Sequence, residues 1–209
     1  MEKRRLKVCG MRDATNILDV AAVQPDFMGF IFYDQSNRFV GTNFTIPKGF
    51  PRYIKKVGVF VNENLDRVLE LVRMHQLDFV QLHGDEAVHF CAALRKKIKV
   101  IKVFRVDNDF DFRQTKDFKD AADYFLFDAK TTAYGGSGKS FDWSLLNGYN
   151  GSTPFFLSGG INTENFSQAM SIKHAKFFAL DINSGAETSP GKKDPIVLSS
   201  MLQILNYSS

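Results

Sequence analysis

Apolar residues along the chain fall into short, nearly unbroken runs rich in aromatic and β-branched side chains, at 6–9, 27–32, 57–61, 79–82, 100–106, 124–127, 155–157 and 177–180. Segments of helical period separate them, at 14–23, 65–75, 86–97, 112–121, 143–149, 163–171 and 195–205. Runs that are apolar on both faces are what a parallel sheet covered on both sides requires. About eight such strands, each followed by a helix or a loop of similar reach, is the count of a closed α/β (β/α)8 TIM barrel. An open doubly wound sheet usually needs fewer strands and fits less well. No long Gly/Ser/Pro linker breaks the series, so residues 1–209 are expected to form a single barrel domain. One interval departs from the pattern. Residues 33–56 contain Pro47, Gly49 and Pro51, and two prolines that close disfavour a regular helix. A shortened or irregular second helix is expected there.

Composition adds modest limits. A 44% hydrophobic fraction is enough for a full core. The 21 phenylalanines lie largely in the strand runs and read as core filler, not as a base-stacking platform. The net charge of +4 helps attract an anionic metabolite. Lys3-Arg4-Arg5 and Arg95-Lys96-Lys97 are too short to form the basic stripe that nucleic-acid binding needs, and read as solvated ends of elements. No apolar run approaches a membrane span, and the N-terminus lacks a signal-peptide core. The only cysteines are Cys9 and Cys91, in different settings. Cys91 shares the apolar side of its helix with Phe90 and Leu94, as a core residue would. The pair suggests a reducing, cytoplasmic compartment rather than a disulfide framework.

In a parallel barrel the chemistry sits where strands exit. Those positions here carry Cys9, Tyr33 to Arg38, Asn62, His83-Gly84-Asp85-Glu86, Asp128, Ser158-Gly159-Gly160 and Asp181-Ile182-Asn183-Ser184-Gly185. Glycines after the seventh and eighth strands let backbone N–H groups approach an anion, so a phosphate seat is expected at Gly159, Gly160, Ser184 and Gly185. The stretch Tyr134-Gly135-Gly136-Ser137-Gly138-Lys139-Ser140 ends like a nucleotide P-loop, but Ala133 stands where that motif needs glycine. A flap or phosphate-side loop is the better reading.

Cys9 and Asp128 form the titratable pair. A thiol is mostly protonated at neutral pH, so a basic role calls for surroundings that lower its pKa. Lys7 is read as alternating to the opposite strand face, and so of no direct help. Asp128, if desolvated, can act as an acid; a helix cap or a salt bridge to Lys130 fits its position equally well. One acid and one base across a pocket can move a proton on a sugar phosphate. Asp13 is expected to cap the first helix, and Trp143 to pack a helix on the barrel. His75, His89 and His174 lie on helices or at their ends without ligand spacing, so no metal is expected. His83, at a strand exit, either lines the pocket or bonds a neighbouring loop.

Taken in order, several segments resemble the phosphoribosylanthranilate isomerase family over nearly the whole chain. They are Lys7-Val8-Cys9-Gly10, Gly29-Phe30-Ile31-Phe32 with Ser36-Asn37-Arg38, Gly58 to Asn62, Gln81-Leu82-His83-Gly84, Phe127-Asp128 with Gly135-Gly136-Ser137-Gly138, Leu157 to Gly160, and Leu180 to Gly185 with Glu187 and Pro190 to Asp194. The resemblance implies an Amadori rearrangement of N-(5-phosphoribosyl)anthranilate in tryptophan biosynthesis, without a cofactor. It implies Asp128 as general acid, Cys9 as general base and Arg38 as holder of the anthranilate carboxylate. It further implies His83, Gly136, Ser137 and Gly138 at the substrate, the glycine loops at the phosphate, and Asp181 toward the ribose hydroxyls. The implied partner is a small phosphosugar, with no nucleic acid or membrane, on a monomer or homodimer. Two departures from the family stand out: the second-helix region, and Asn183 where a small residue is usual.

Overall fold

The computed structural model describes residues 4–130 and 140–207. Eight parallel strands close on themselves in chain order: β1 (Arg5–Val8), β2 (Phe27–Ile31), β3 (Lys55–Phe60), β4 (Phe79–Leu82), β5 (Lys99–Val106), β6 (Tyr124–Ala129), β7 (Phe155–Leu157) and β8 (Phe177–Ile182). β1 pairs with β8 through Arg5↔Ala179 to Val8↔Ile182, which shuts the barrel. The helices are α1 (Ala14–Ala22), α2 (Leu65–His75), α3 (Val88–Arg95), α4 (Phe166–Ser171) and α5 (Pro195–Tyr207). Asp13 caps α1 as expected, its carboxylate accepting from the Asn16 amide at 2.8 Å. Among the described residues no helix is long and apolar enough to cross a membrane.

Two expected helices are short 3-10 segments instead, at Phe112–Phe118 and Trp143–Gly148. Side chains there compete for the backbone. Asp111 and Asp142 accept from the amides two residues on, and the Thr115 hydroxyl donates to the Phe112 carbonyl. Trp143 is buried on the second of them. The interval between β2 and β3 has no regular helix, in line with its prolines. Aromatic packing takes its place. Phe44 lies 5.3 Å from Phe30 and 6.2 Å from Phe32, and Phe50 lies 6.2 Å from Phe30 (ring centroids). A two-stranded ribbon not foreseen from the sequence, β9 (Glu187–Ser189) with β10 (Lys192–Lys193), folds back after β8.

The barrel interior is divided by height. Near the strand starts it is sealed by rings: Phe27 packs on Phe79 and Phe156, each at 5.4 Å, and Tyr124 on Phe178 at 4.6 Å. These residues are indeed core filler. Toward the strand exits the interior turns polar, and the site sits there.

Candidate active site

Period two along a strand decides which side chains enter the barrel. On β1, Leu6 and Val8 join the outer core. Lys7 and Cys9, two residues apart, therefore share the inner face. This corrects the expectation that Lys7 points away from Cys9; residues i and i+2 lie on one face by construction. Lys7 is fully buried, and its ammonium meets Asp181 on β8 at 2.8 Å, the residue it faces in register.

Cys9, Asp128, His83, Gln81, Ser158, Asp181, Asn183 and the glycine loops line one open cavity, closed on another side by Ile31, Val59 and Tyr33. The structure thus brings Cys9, His83, Asp128, Gly159, Gly160, Asp181, Ser184 and Gly185 together, as the strand-exit argument expected. Gly136, Ser137 and Gly138 lie outside the described residues.

The two glycine loops press against each other at the rim. Gly159 has φ +91° and lies so close to β6 that a Cβ would stand 2.9 Å from Asp128 Oδ1 and 2.5 Å from the Ala129 nitrogen. A Cβ on Gly185 would stand 1.9 Å from the Ile161 carbonyl oxygen. Only glycine fits either place, and the result is bare backbone facing the cavity.

Electrostatics differ around the two titratable groups. Burial pushes the Cys9 thiol above its ordinary value; the positive charges of Lys7 and Lys193 pull it back without cancelling the shift. The lowering that a basic role calls for is thus absent in the free protein, because desolvation outweighs the cations. Burial also opposes the charge on Lys7, yet Asp181 and Cys9 hold it above its usual range, so it stays an ammonium ion. Asp128 Oδ2 lies 3.3 Å from His83 Nε2, while Oδ1 accepts from the Ala129 amide at 2.9 Å. Among the described residues it caps no helix, and Lys130 instead pairs with Asp107 at 2.5 Å.

Arg38 lies beside this cavity, not on its wall. Its Nε and Nη2 form a two-pronged pair with Glu187 at 2.8 and 2.6 Å. Lys193, fully buried, donates to Glu187 at 2.5 Å and to Asn183 Oδ1 at 2.9 Å. Burial alone would raise the Glu187 carboxyl, but Arg38 and Lys193 hold it below its ordinary value. The longer side chain at 183 thus serves to bind Lys193. Sequence reasoning missed Glu187 and Lys193 as neighbours of Arg38, since β9 and β10 carried no strand signal. It missed Gln81 too, although strand parity places it inside the barrel with His83. Among the described residues no group of three potential ligands is arranged for a metal ion.

A family model described as N-(5'phosphoribosyl)anthranilate (PRA) isomerase matches residues 6–204. The chain is 44% identical over 202 residues to N-(5'-phosphoribosyl)anthranilate isomerase of Parabacteroides distasonis, covering 95% of this chain and 91% of that one. The crystal structure of phosphoribosyl anthranilate isomerase from Thermotoga maritima superposes with TM-score 0.83 at 33% identity, covering 98% of this chain and 99% of that one. A phosphoribosyl anthranilate isomerase in complex with reduced 1-(o-carboxyphenylamino)-1-deoxyribulose 5-phosphate gives TM-score 0.81 at 30% identity, with coverage of 98% and 99%.

Proposed function

This chain belongs to the N-(5'-phosphoribosyl)anthranilate isomerase family of tryptophan biosynthesis, and we propose that it performs the rearrangement with Asp128 as general acid and Cys9 as general base. The observation that carries this reading is the sharing of one cavity by a thiol, a carboxyl group and two bare-backbone loops.

Asp128 gives its proton to the furanose ring oxygen. The ring C–O bond breaks as the anthranilate nitrogen lone pair forms the C=N bond of a Schiff base. The Cys9 thiolate then removes the proton on C2, and the electron pair of that C–H bond moves to neutralise the nitrogen. The resulting enol regains a proton at C1 and loses one from oxygen, leaving the aminoketose. No net proton or electron is exchanged, so the substrate's own nitrogen is the electron sink. A thiol held above its ordinary pKa is a scarce but strong base, and Lys7 favours its charged form. The phosphate lies on Gly159, Gly160, Ser184 and Gly185, and Asp181 faces the ribose hydroxyls. Arg38, presented by Glu187, holds the anthranilate carboxylate, a task suited to a planar guanidinium. Gly136, Ser137 and Gly138 belong to a phosphate-side loop.

We read residues 1–209 as one barrel domain acting as a monomer or homodimer, without nucleic-acid or membrane partners. The free thiols of Cys9 and Cys91 support a reducing, cytoplasmic setting. The test is a fluorescence assay of phosphoribosylanthranilate consumption by the purified chain. Steady loss of substrate with product formation is expected, and no turnover would refute the assignment.

A further inference from the structure

Gln81 is buried on β4 and lines the cavity, yet no step above uses it. Its side-chain Nε2 lies 3.0 Å from His83 Nδ1, and its Oε1 has no hydrogen-bond partner among the described residues. His83 Nε2 in turn faces Asp128 Oδ2 at 3.3 Å. These contacts form a file running from Gln81 through His83 to Asp128.

An amide N–H facing Nδ1 requires that nitrogen to be an acceptor. A neutral imidazole then carries its proton on Nε2, the nitrogen that lies 3.3 Å from Asp128 Oδ2. Turning the amide round would put Oε1 against Nδ1–H. Two amide donors would then be left buried without partners in place of one carbonyl oxygen. The arrangement present leaves only one buried carbonyl oxygen without a partner.

We propose that Gln81 is a positioning residue that holds His83 in the tautomer with its proton on Nε2, beside Asp128. The proposal rests on the reading of Asp128 as the general acid. An imidazolium at this distance would favour the ionised carboxylate and so withhold the proton that opens the ring. A neutral imidazole beside the carboxyl group carries a smaller penalty, since it adds no full positive charge. The other charged groups around this face are Asp181 on β8 and Lys7 on β1, which are paired with each other. Gln81 is therefore the neighbour whose donor selects the tautomer of the ring.

The test is nitrogen NMR of the full chain labelled at histidine, with the His83 signals assigned by their loss in His83→Asn. In the unsubstituted protein at neutral pH, Nε2 is expected to be protonated and Nδ1 not. In Gln81→Glu the new carboxylate accepts from Nδ1, so both nitrogens become protonated. There kcat falls at least ~10-fold while KM stays within about threefold, since the effect reaches the chemistry through Asp128. Gln81→Met, which keeps the shape but removes the donor, releases an Nδ1–H population. An Nδ1–H or doubly protonated ring in the unsubstituted protein would overturn the proposal, as would ring signals unchanged in both variants. If the ring responds as expected while kcat holds in Gln81→Glu, the role of Asp128 fails and the tautomer assignment stands.

Discussion

A buried cysteine, a buried lysine and a buried carboxylate meet at two places in this protein. Beneath the cavity they are Cys9, Lys7 and Asp181; at the outer end of β4 and β5 they are Cys91, Lys102 and Glu86. The second set is closed. Lys102 donates to the Gly84 carbonyl at 2.7 Å and to Glu86 Oε2 at 2.8 Å. Glu86 Oε1 accepts the amides of Asn62 and Gly84, which ties the loops after β3 and β4 together. Burial pushes the Cys91 thiol to about 11, with Lys102 only partly opposing. In the first set, Cys9 and Asp181 line the cavity, and Lys7 faces both. The same three groups make a structural knot in one place and a candidate reaction centre in the other. The difference lies in which of them face space that a substrate can fill.

The largest contrast should separate the two thiols. Cys9→Ala is expected to lower kcat by at least ~10²-fold, the scale of a lost general base, and Cys91→Ala by less than about twofold, both by the fluorescence assay. Equal losses would erase the distinction. Next come the lysines. Lys7→Met should lower kcat about tenfold or more and shift the rise of kcat/KM to higher pH. That rise follows ionisation of a thiol already held high, and removing the cation holds it higher. Lys102→Met should leave kcat per folded molecule alone and cost about 3 kcal/mol in denaturant unfolding, because Glu86 is left buried and unpaired. Beside the cavity, Arg38→Ala should raise KM about tenfold with kcat changed less than about threefold, by loss of its pairing to a carboxylate; an unchanged KM would remove its binding role.

The smallest effect concerns alkaline stability. The Cys91 thiol ionises more reluctantly folded, at about 11, than at its ordinary 9.0. The folded chain thus keeps a proton that the unfolded chain gives up. This stability is fully present below pH 9 and is lost as pH rises toward 11, to the extent of about 2–3 kcal/mol. Cys91→Ala should flatten the fall in unfolding midpoint over that range; a slope as steep as before would contradict this.

Much of the architecture was legible in the sequence. The runs at 79–82 and 155–157 coincide with β4 and β7, and that at 65–75 coincides with α2. Apolar runs mark buried strands because a strand covered on both faces has no polar side to show. The 3-10 segments were not legible, since Asp111, Thr115 and Asp142 bond the backbone locally while the apolar spacing still looks helical. The cavity residues were legible as strand exits. Lys7 was misread by parity, and Glu187 and Lys193 were hidden because a ribbon of three and two residues has too few positions to show a period. The partner of Arg38 is a tertiary fact, 149 residues away in the chain.

The most direct measurement is turnover of phosphoribosylanthranilate by the double variant Cys9→Ala with Asp128→Asn, at saturating substrate. The account predicts a fall in kcat of at least ~10²-fold with binding of the reduced product analogue preserved. Undiminished turnover would contradict it.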